Sequence, residues 1–109
     1  MNHRQLEYVV AIVEEGSFTQ AAIRCDVAQP SLSAAVARLE RDLGVSLFHR
    51  LGRRVAPTDA CLALLPSARD VIRSTRSVID SVSSTAAGLT GSLDLAVQPT
   101  VIATVVRLV

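Results

Sequence analysis

The stretch from Gln29 to Gly44, QPSLSAAVARLERDLG, does most to limit what this chain can fold into. Leu32, Val36, Leu39 and Leu43 recur at a 4-3-4 spacing, which stacks them on one stripe of an α-helix and marks that stripe as a core face. Pro30 suits the first helical turn, where its missing N–H costs nothing, and Gly44 supplies the left-handed residue on which helices commonly end. The opposite face carries Pro30, Ala34, Ala37, Arg38 and Arg41, small near its start and cationic near its end. Such a surface can press closely against something flat and anionic. An ordinary surface helix has the same pattern, so the flanking sequence must decide between the two.

With 109 residues there is room for one small domain and an extension. A core of some 60 residues buries only about 60% of its unfolded surface, so it would gain from a partner. Half of the residues are hydrophobic but only 3% are aromatic, which leaves Ala, Val, Leu and Ile to build the interior and favours helix-on-helix packing. All eleven basic residues are arginine and the net charge is only +1, so any nucleic-acid signal must be local. No apolar run is long enough to span a membrane, and the opening MNHRQLEYVV lacks the apolar block of a signal peptide. A cytoplasmic protein without membrane association is the expectation. Cys25 and Cys61 lack the C-x-x-C spacing of redox or metal sites, and His3 and His49 lie on other segments. The expected state is therefore two buried free thiols, with no metal and no cofactor.

Taken in order, Asn2 and Gln5 form a capping-box pattern ahead of a helix that runs to Glu15 and stops at Gly16. Ser17 and Gln20 repeat that pattern at the start of a second helix, whose inner face is Phe18, Ala21, Ala22 and Cys25. Only Asp26, Val27 and Ala28 separate it from the helix at Gln29, a connection of helix-turn-helix length. In such a unit the second of the two helices enters the major groove of DNA. Ala28 is a poor N-cap, costing the helix start about 1 kcal/mol. Next, VSLFHRLGRRVA reads as a small β-hairpin anchored by Leu47 and Phe48, with a turn at Leu51-Gly52. Its tip gathers Arg50, Arg53 and Arg54, like charges that repel unless an anion neutralises them. Charge alone admits a solvated loop; the position directly after three helices points to phosphate and minor-groove contact.

Thr58 caps the longest helix, with Asp59 in its first turn. Cys61, Leu65, Ala68, Ile72, Thr75, Ile79, Val82 and Ala86 continue one stripe. Unbroken to Ala87, this helix would be about 43 Å long, more stripe than so small a domain can cover. The simplest cover is the same helix of a second copy. Pro66 interrupts the pattern and should bend it. Arg69, Arg73 and Arg76 share a face better explained as a solvated flank than as a second DNA contact. From Ser81 onward, SVSSTAAGLTG loses helix propensity and suggests a hinge. The remainder reads as a strand at Leu93 to Val97, a turn at Pro99 and an unclassified apolar run, the start of a further domain for which the chain has no room.

The motifs GSFTQAA (Gly16 to Ala22), QPSLS (Gln29 to Ser33) and LERDLGVSLFHR (Leu39 to Arg50), followed by RRVAPTDA, resemble the N-terminal part of LysR-type transcriptional regulators. The likeness is close to about residue 68, and GSLDLAV extends it more weakly. It implies a mainly α fold: a winged helix-turn-helix over residues 1–58, a linker helix for dimerisation over 59–88, and over 89–109 a hinge with the truncated start of an effector-binding domain. It also implies that Gln29, Pro30, Ser33 and Ala34 face the major groove while Arg53 enters the minor groove. Ser17, Thr19, Ser31 and Arg50 become phosphate neighbours, joined by Arg38 and Arg54 from the charge pattern. Leu65, Ala68, Ile72, Ile79 and Val82 would face the twin helix. Three positions depart from the family pattern. Ala34 replaces a longer polar side chain, so thymine-methyl contact or DNA shape must carry more of the selectivity. Ala28 replaces a capping hydroxyl, and Cys61 stands where glycine is favoured.

The expected function is therefore that of a sequence-selective DNA-binding transcriptional regulator, a dimer on an interrupted palindrome, with no inducer bound by this chain and tetramers only where an effector domain is present. The rival expectation is a truncated interaction module that captures full-length relatives through the long helix. An enzyme is the poorest fit, since no His, Cys or carboxylate pair is spaced for catalysis.

Overall fold

The computed structural model describes residues 1–89, and of residues 86–89 only the backbone. Its elements are α1 (His3–Glu15), α2 (Phe18–Cys25), α3 (Gln29–Leu43), β1 (Phe48–Leu51), β2 (Arg54–Pro57) and α4 (Asp59–Leu89). The chain divides into two compact units at Asp70, within α4. The strand and turn expected beyond residue 90 lie outside the described residues.

In the first unit the core is aliphatic. Val9 and Ile12 from α1, Leu32, Val36 and Leu39 from α3, Leu47 before the wing and Cys61 from α4 are all fully buried. Ala21 and Ala22 of α2 are buried with them, and their small side chains allow helix axes to approach closely. Leu43, expected as the fourth residue of the α3 stripe, is instead 43% exposed. It occupies the last turn, where the helix passes the edge of its partners.

Helix boundaries follow the capping chemistry closely, with one correction. The Asn2 side chain accepts from the Gln5 amide while the Gln5 side chain accepts from the Asn2 amide, a complete capping box. At α2 only half of the second box forms: Ser17 Oγ accepts from the Gln20 amide at 3.2 Å, without the reciprocal bond. Ala28 caps α3 with no side-chain bond. The other end of α3 is secured. Gly44 takes the left-handed conformation (φ 70°), its amide donates to the carbonyls of Glu40 and Arg41, and the Val45 amide also reaches the Glu40 carbonyl.

The wing is an antiparallel pair with Phe48 opposite Pro57 and Leu51 opposite Arg54. The turn is therefore Gly52-Arg53, not Leu51-Gly52. Leu51 still pairs, and Gly52 (φ 64°) takes the first loop position, where two-residue hairpins require a positive φ. Two bonds fix the hairpin to the helices: the Val55 amide donates to the Gly16 carbonyl (3.3 Å), and the Leu47 amide to Glu40 Oε2 (2.7 Å). Thr58 then caps α4, accepting from the Cys61 amide while its own hydroxyl donates to the Ser46 carbonyl.

α4 continues as helix through Pro66, which lies on its exposed side, and on to Leu89. The hinge expected from Ser81 onward is not where the helix stops. The helix runs on although Ser81 and Thr85 donate back to the carbonyls four residues earlier, at 2.8 Å each, bonds that compete with the backbone and slightly weaken a helix.

Gln5 is the buried polar residue the sequence understated. At 3% exposure its Oε1 completes the capping box, while Nε2 donates to the Ala35 carbonyl of α3 at 3.1 Å. Gln5→Ala is expected to destabilise the fold by about 1–3 kcal/mol, since both partners lose a bond in a partly dry site. Urea unfolding followed by circular dichroism checks this; an unchanged midpoint would show the Ala35 bond to be dispensable.

Candidate nucleic-acid interface

Burying Leu32, Val36 and Leu39 turns the other side of α3 outward. Pro30, Ser31, Ala34, Arg38 and Arg41 are exposed, and Gln29 and Ser33 are half-buried. Gln29 and Ser33 are brought together: Gln29 Nε2 donates to Ser33 Oγ at 2.9 Å, an i, i+4 bond along the helix. That bond orients the Gln29 amide and leaves its carbonyl oxygen and second N–H available. Ala34 adds only a methyl group to this surface.

On the wing, Arg50, Arg53 and Arg54 are all exposed, with Arg53 in the turn itself. Arg50 is the most constrained of the three. Its guanidinium carbon lies 4.3 Å from the centroid of the ring of Phe18, the residue between Ser17 and Thr19, two more of those expected near phosphates. Phe18 itself meets Phe48 edge-on, with centroids 5.7 Å apart and planes at 86°. Sequence reasoning placed Phe18 only in the core of α2; its position between Ser17 and Thr19 was the available signal.

Arg24 and Arg69 differ from the arginines of α3 and the wing. Arg24 bonds Glu14 at 2.7 Å and Glu15 at 3.4 Å, and Arg69 bonds Glu14 at 3.5 Å. The Arg24 hydrogen bond holds the Glu14 carboxyl below the usual range, and Arg24 is raised in turn. Arg69, expected on a solvated flank, thus ties α4 to α1. Among the described residues, none of Arg38, Arg41, Arg50, Arg53 and Arg54 is held in an ion pair. Five arginines outside any ion pair thus share the outer side of α3 and the wing; Arg4 on α1 and Arg76 on α4 are the others among the described residues that enter none.

On α4, Leu65 and Ala68, expected against a second copy, are already covered by their own chain at 5% and 2% exposure. Further along, Ile72 and Ile79 are half-buried and Val82 is 64% exposed. Val71 and Val78, which the sequence reading passed over, are also exposed and join Thr75 and Val82 of the expected stripe at a 4-3-4 spacing.

No group of His, Cys and carboxylate residues suited to a metal occurs among the described residues, and none of their helices is long and apolar enough to cross a membrane. Both cysteines are free. Cys61 is fully buried, whereas Cys25, expected to be buried too, is only half-buried at the end of α2.

Three helices with the third turned outward, followed by a two-stranded wing, define a winged helix-turn-helix. Residues 3–62 match the model of the bacterial regulatory helix-turn-helix proteins of the lysR family, and the chain belongs to that family. It is 40% identical over 101 residues to the DNA-binding transcriptional dual regulator OxyR of Escherichia coli K12, covering 93% of this chain and 33% of that protein. It is 40% identical over 99 residues to the nitrogen assimilation regulatory protein nac of the same organism, covering 91% and 32%. Among solved structures, the BenM DBD in complex with benA site 1 DNA superposes with a TM-score of 0.71 at 35% identity, over 79% of this chain and all of that one. The CbnR DBD–DNA complex gives 0.69 at 37% identity, over 78% and 99%. The chain thus spans about a third of the length of these curated relatives, which are regulators by name.

Burial pushes the Cys61 thiol up to about 11, with the Glu40 charge adding to the effect. The stability gained by keeping this thiol neutral is complete below about pH 9 and declines as the pH rises toward 11, because the unfolded chain ionises first. The urea midpoint should therefore fall over that window, and fall less in Cys61→Ala. An equally steep decline in the variant would rule out Cys61 as the cause.

Proposed function

We propose that this chain is the DNA-binding part of a transcriptional regulator, working as a homodimer on an interrupted palindrome in the cytoplasm. The observation that carries this reading is a cluster of arginines: Arg38 and Arg41 on the outer side of α3 and Arg50, Arg53 and Arg54 on the wing are exposed and lack anionic partners, while Arg24 and Arg69 have theirs. Guanidinium groups left exposed and unpaired on adjoining elements suit the regular phosphates of a duplex. The family match and the DNA complexes of BenM and CbnR support the same partner.

In this reading the start of α3 meets base edges in the major groove, where Gln29, Pro30, Ser33 and Ala34 do the discriminating. Gln29, with its amide oriented by Ser33, can offer an acceptor and a donor together, the pattern that matches adenine. Arg53 enters the minor groove. Ser17, Thr19, Ser31, Arg38, Arg50 and Arg54 hold phosphates. Residues 1–58 make up the head and 59–88 the helix that pairs with its twin. Ile72, Ile79 and Val82, flanked by Val71 and Val78, supply the apolar contact; Leu65 and Ala68 support it from within their own core.

Selection of bound duplexes from a random pool, with sedimentation equilibrium of the chain alone and bound, tests the whole reading. Recovery of a two-fold symmetric sequence by a dimer is the expected result, whereas a monomer that retains no duplex at low salt would end it. Gln29→Ala is expected to cost on the order of 1–3 kcal/mol on the best sequence and to relax selectivity at one position; a uniform loss across sequences would remove Gln29 from base reading. Arg53→Ala is expected to weaken all sequences and lower the salt slope by about one charge. If that slope stays unchanged, Arg53 contacts no phosphate.

A further inference from the structure

We propose that Phe18 is a positioning residue for Arg50: its ring holds the guanidinium flat and edge-outward, ready to receive one backbone phosphate of a duplex. This rests on the DNA-binding reading above and adds to it a side chain that touches no DNA itself. Phe48 and Arg50 are two residues apart on β1, so they leave the strand on the same side, and both meet the same ring. Phe48 meets Phe18 at 86°, and Arg50 lies 4.3 Å from its centroid. Phe18 and Phe48 are 8% and 7% exposed, so this platform is packed, while Arg50 remains exposed.

The main chain closes the arrangement. Val55, the partner of Arg50 across the hairpin, donates its amide to Gly16, two residues before Phe18. Ring and guanidinium are thereby fixed from both sides of the wing. A guanidinium stacked on a ring keeps its N–H donors in the plane of the group, pointing past the edge of the aromatic. No carboxylate among the described residues pairs with Arg50. Much of the rotamer freedom that a long side chain loses on gripping an anion is already given up in the unbound chain. An ammonium at position 50 would keep the charge but lose the plane.

The test uses the full chain and a duplex recovered by the random-pool selection, with binding followed by fluorescence anisotropy across a salt series. Arg50→Lys is expected to weaken binding about five- to tenfold with an unchanged salt slope, close to the loss from Arg50→Ala, which also lowers the slope. Phe18→Leu, checked for folding by its urea midpoint, should weaken binding by a similar factor in the parent chain and by almost nothing in Arg50→Ala. Wild-type affinity in Arg50→Lys or Arg50→Ala, or an equal loss from Phe18→Leu in both backgrounds, overturns the proposal. Should Phe18→Leu not fold, the exposed Arg50→Lys variant decides alone. Failure of the unmodified chain to bind any duplex would instead count against the DNA-binding reading itself.

Discussion

Everything that the outer side of α3 presents depends on the rotational phase of that helix, and three buried side chains fix the phase. Leu32, Val36 and Leu39 have essentially no exposure, and they lock one stripe of α3 into an interior built from aliphatic residues. Turning the helix by a single residue, about 100°, would bring polar groups inward and expose leucine, at a cost of several kcal/mol. Gln5 adds a directional constraint to these non-directional ones, since its bond to the Ala35 carbonyl sets the height of α3 against α1. The display of Gln29, Pro30, Ser33 and Ala34 is thus a result of core packing and needs no further device.

The wing obeys a similar logic with less apolar area. A two-stranded hairpin is marginal in isolation. Here Leu47 and Phe48 insert into the first unit, and polar bonds complete the attachment: Val55 to Gly16, Leu47 to Glu40, and Thr58 to Ser46. Glu40 thereby links the inner end of α3 to the approach to β1. A charged residue that looks like part of a solvated helix face therefore helps to hold two elements in register.

Much of this was legible in the residues. Capping patterns and left-handed glycines gave both ends of α1, the start of α2 and the end of α3, and Pro30 gave the start of α3, because those signals are local; α2 instead ends on a left-handed Asp26, which no glycine marks. Periodicity gave the core face of α3 for the same reason. What escaped depended on contacts distant in sequence. Nothing local says that Gln5 reaches Ala35, that Glu14 serves both Arg24 and Arg69, or that Arg50 lies over Phe18. The turn was misplaced by one residue because Leu51-Gly52 and Gly52-Arg53 both contain the necessary glycine, and only strand pairing separates them. The cover that Leu65 and Ala68 already have from their own chain was not legible, because a stripe does not record where the domain's own core stops. The expected groove-facing set itself came from family likeness; packing exposes Pro30 and Ala34 and leaves Gln29 and Ser33 half-buried.

The two ends of α3 differ in firmness. The far end is bound by the amides of Gly44 and Val45 and backed by Glu40, whereas the near end begins at Ala28, which offers its amides no side-chain acceptor. A missing cap of this kind weakens a first turn by about 1 kcal/mol, which favours local fraying over loss of the whole helix. Ser31 and Leu32 donate to the Ala28 carbonyl, so the turn does form. What holds the tip down is therefore the burial of Leu32 rather than a cap, whereas the far end is secured by hydrogen bonds, so the two ends rest on different kinds of force.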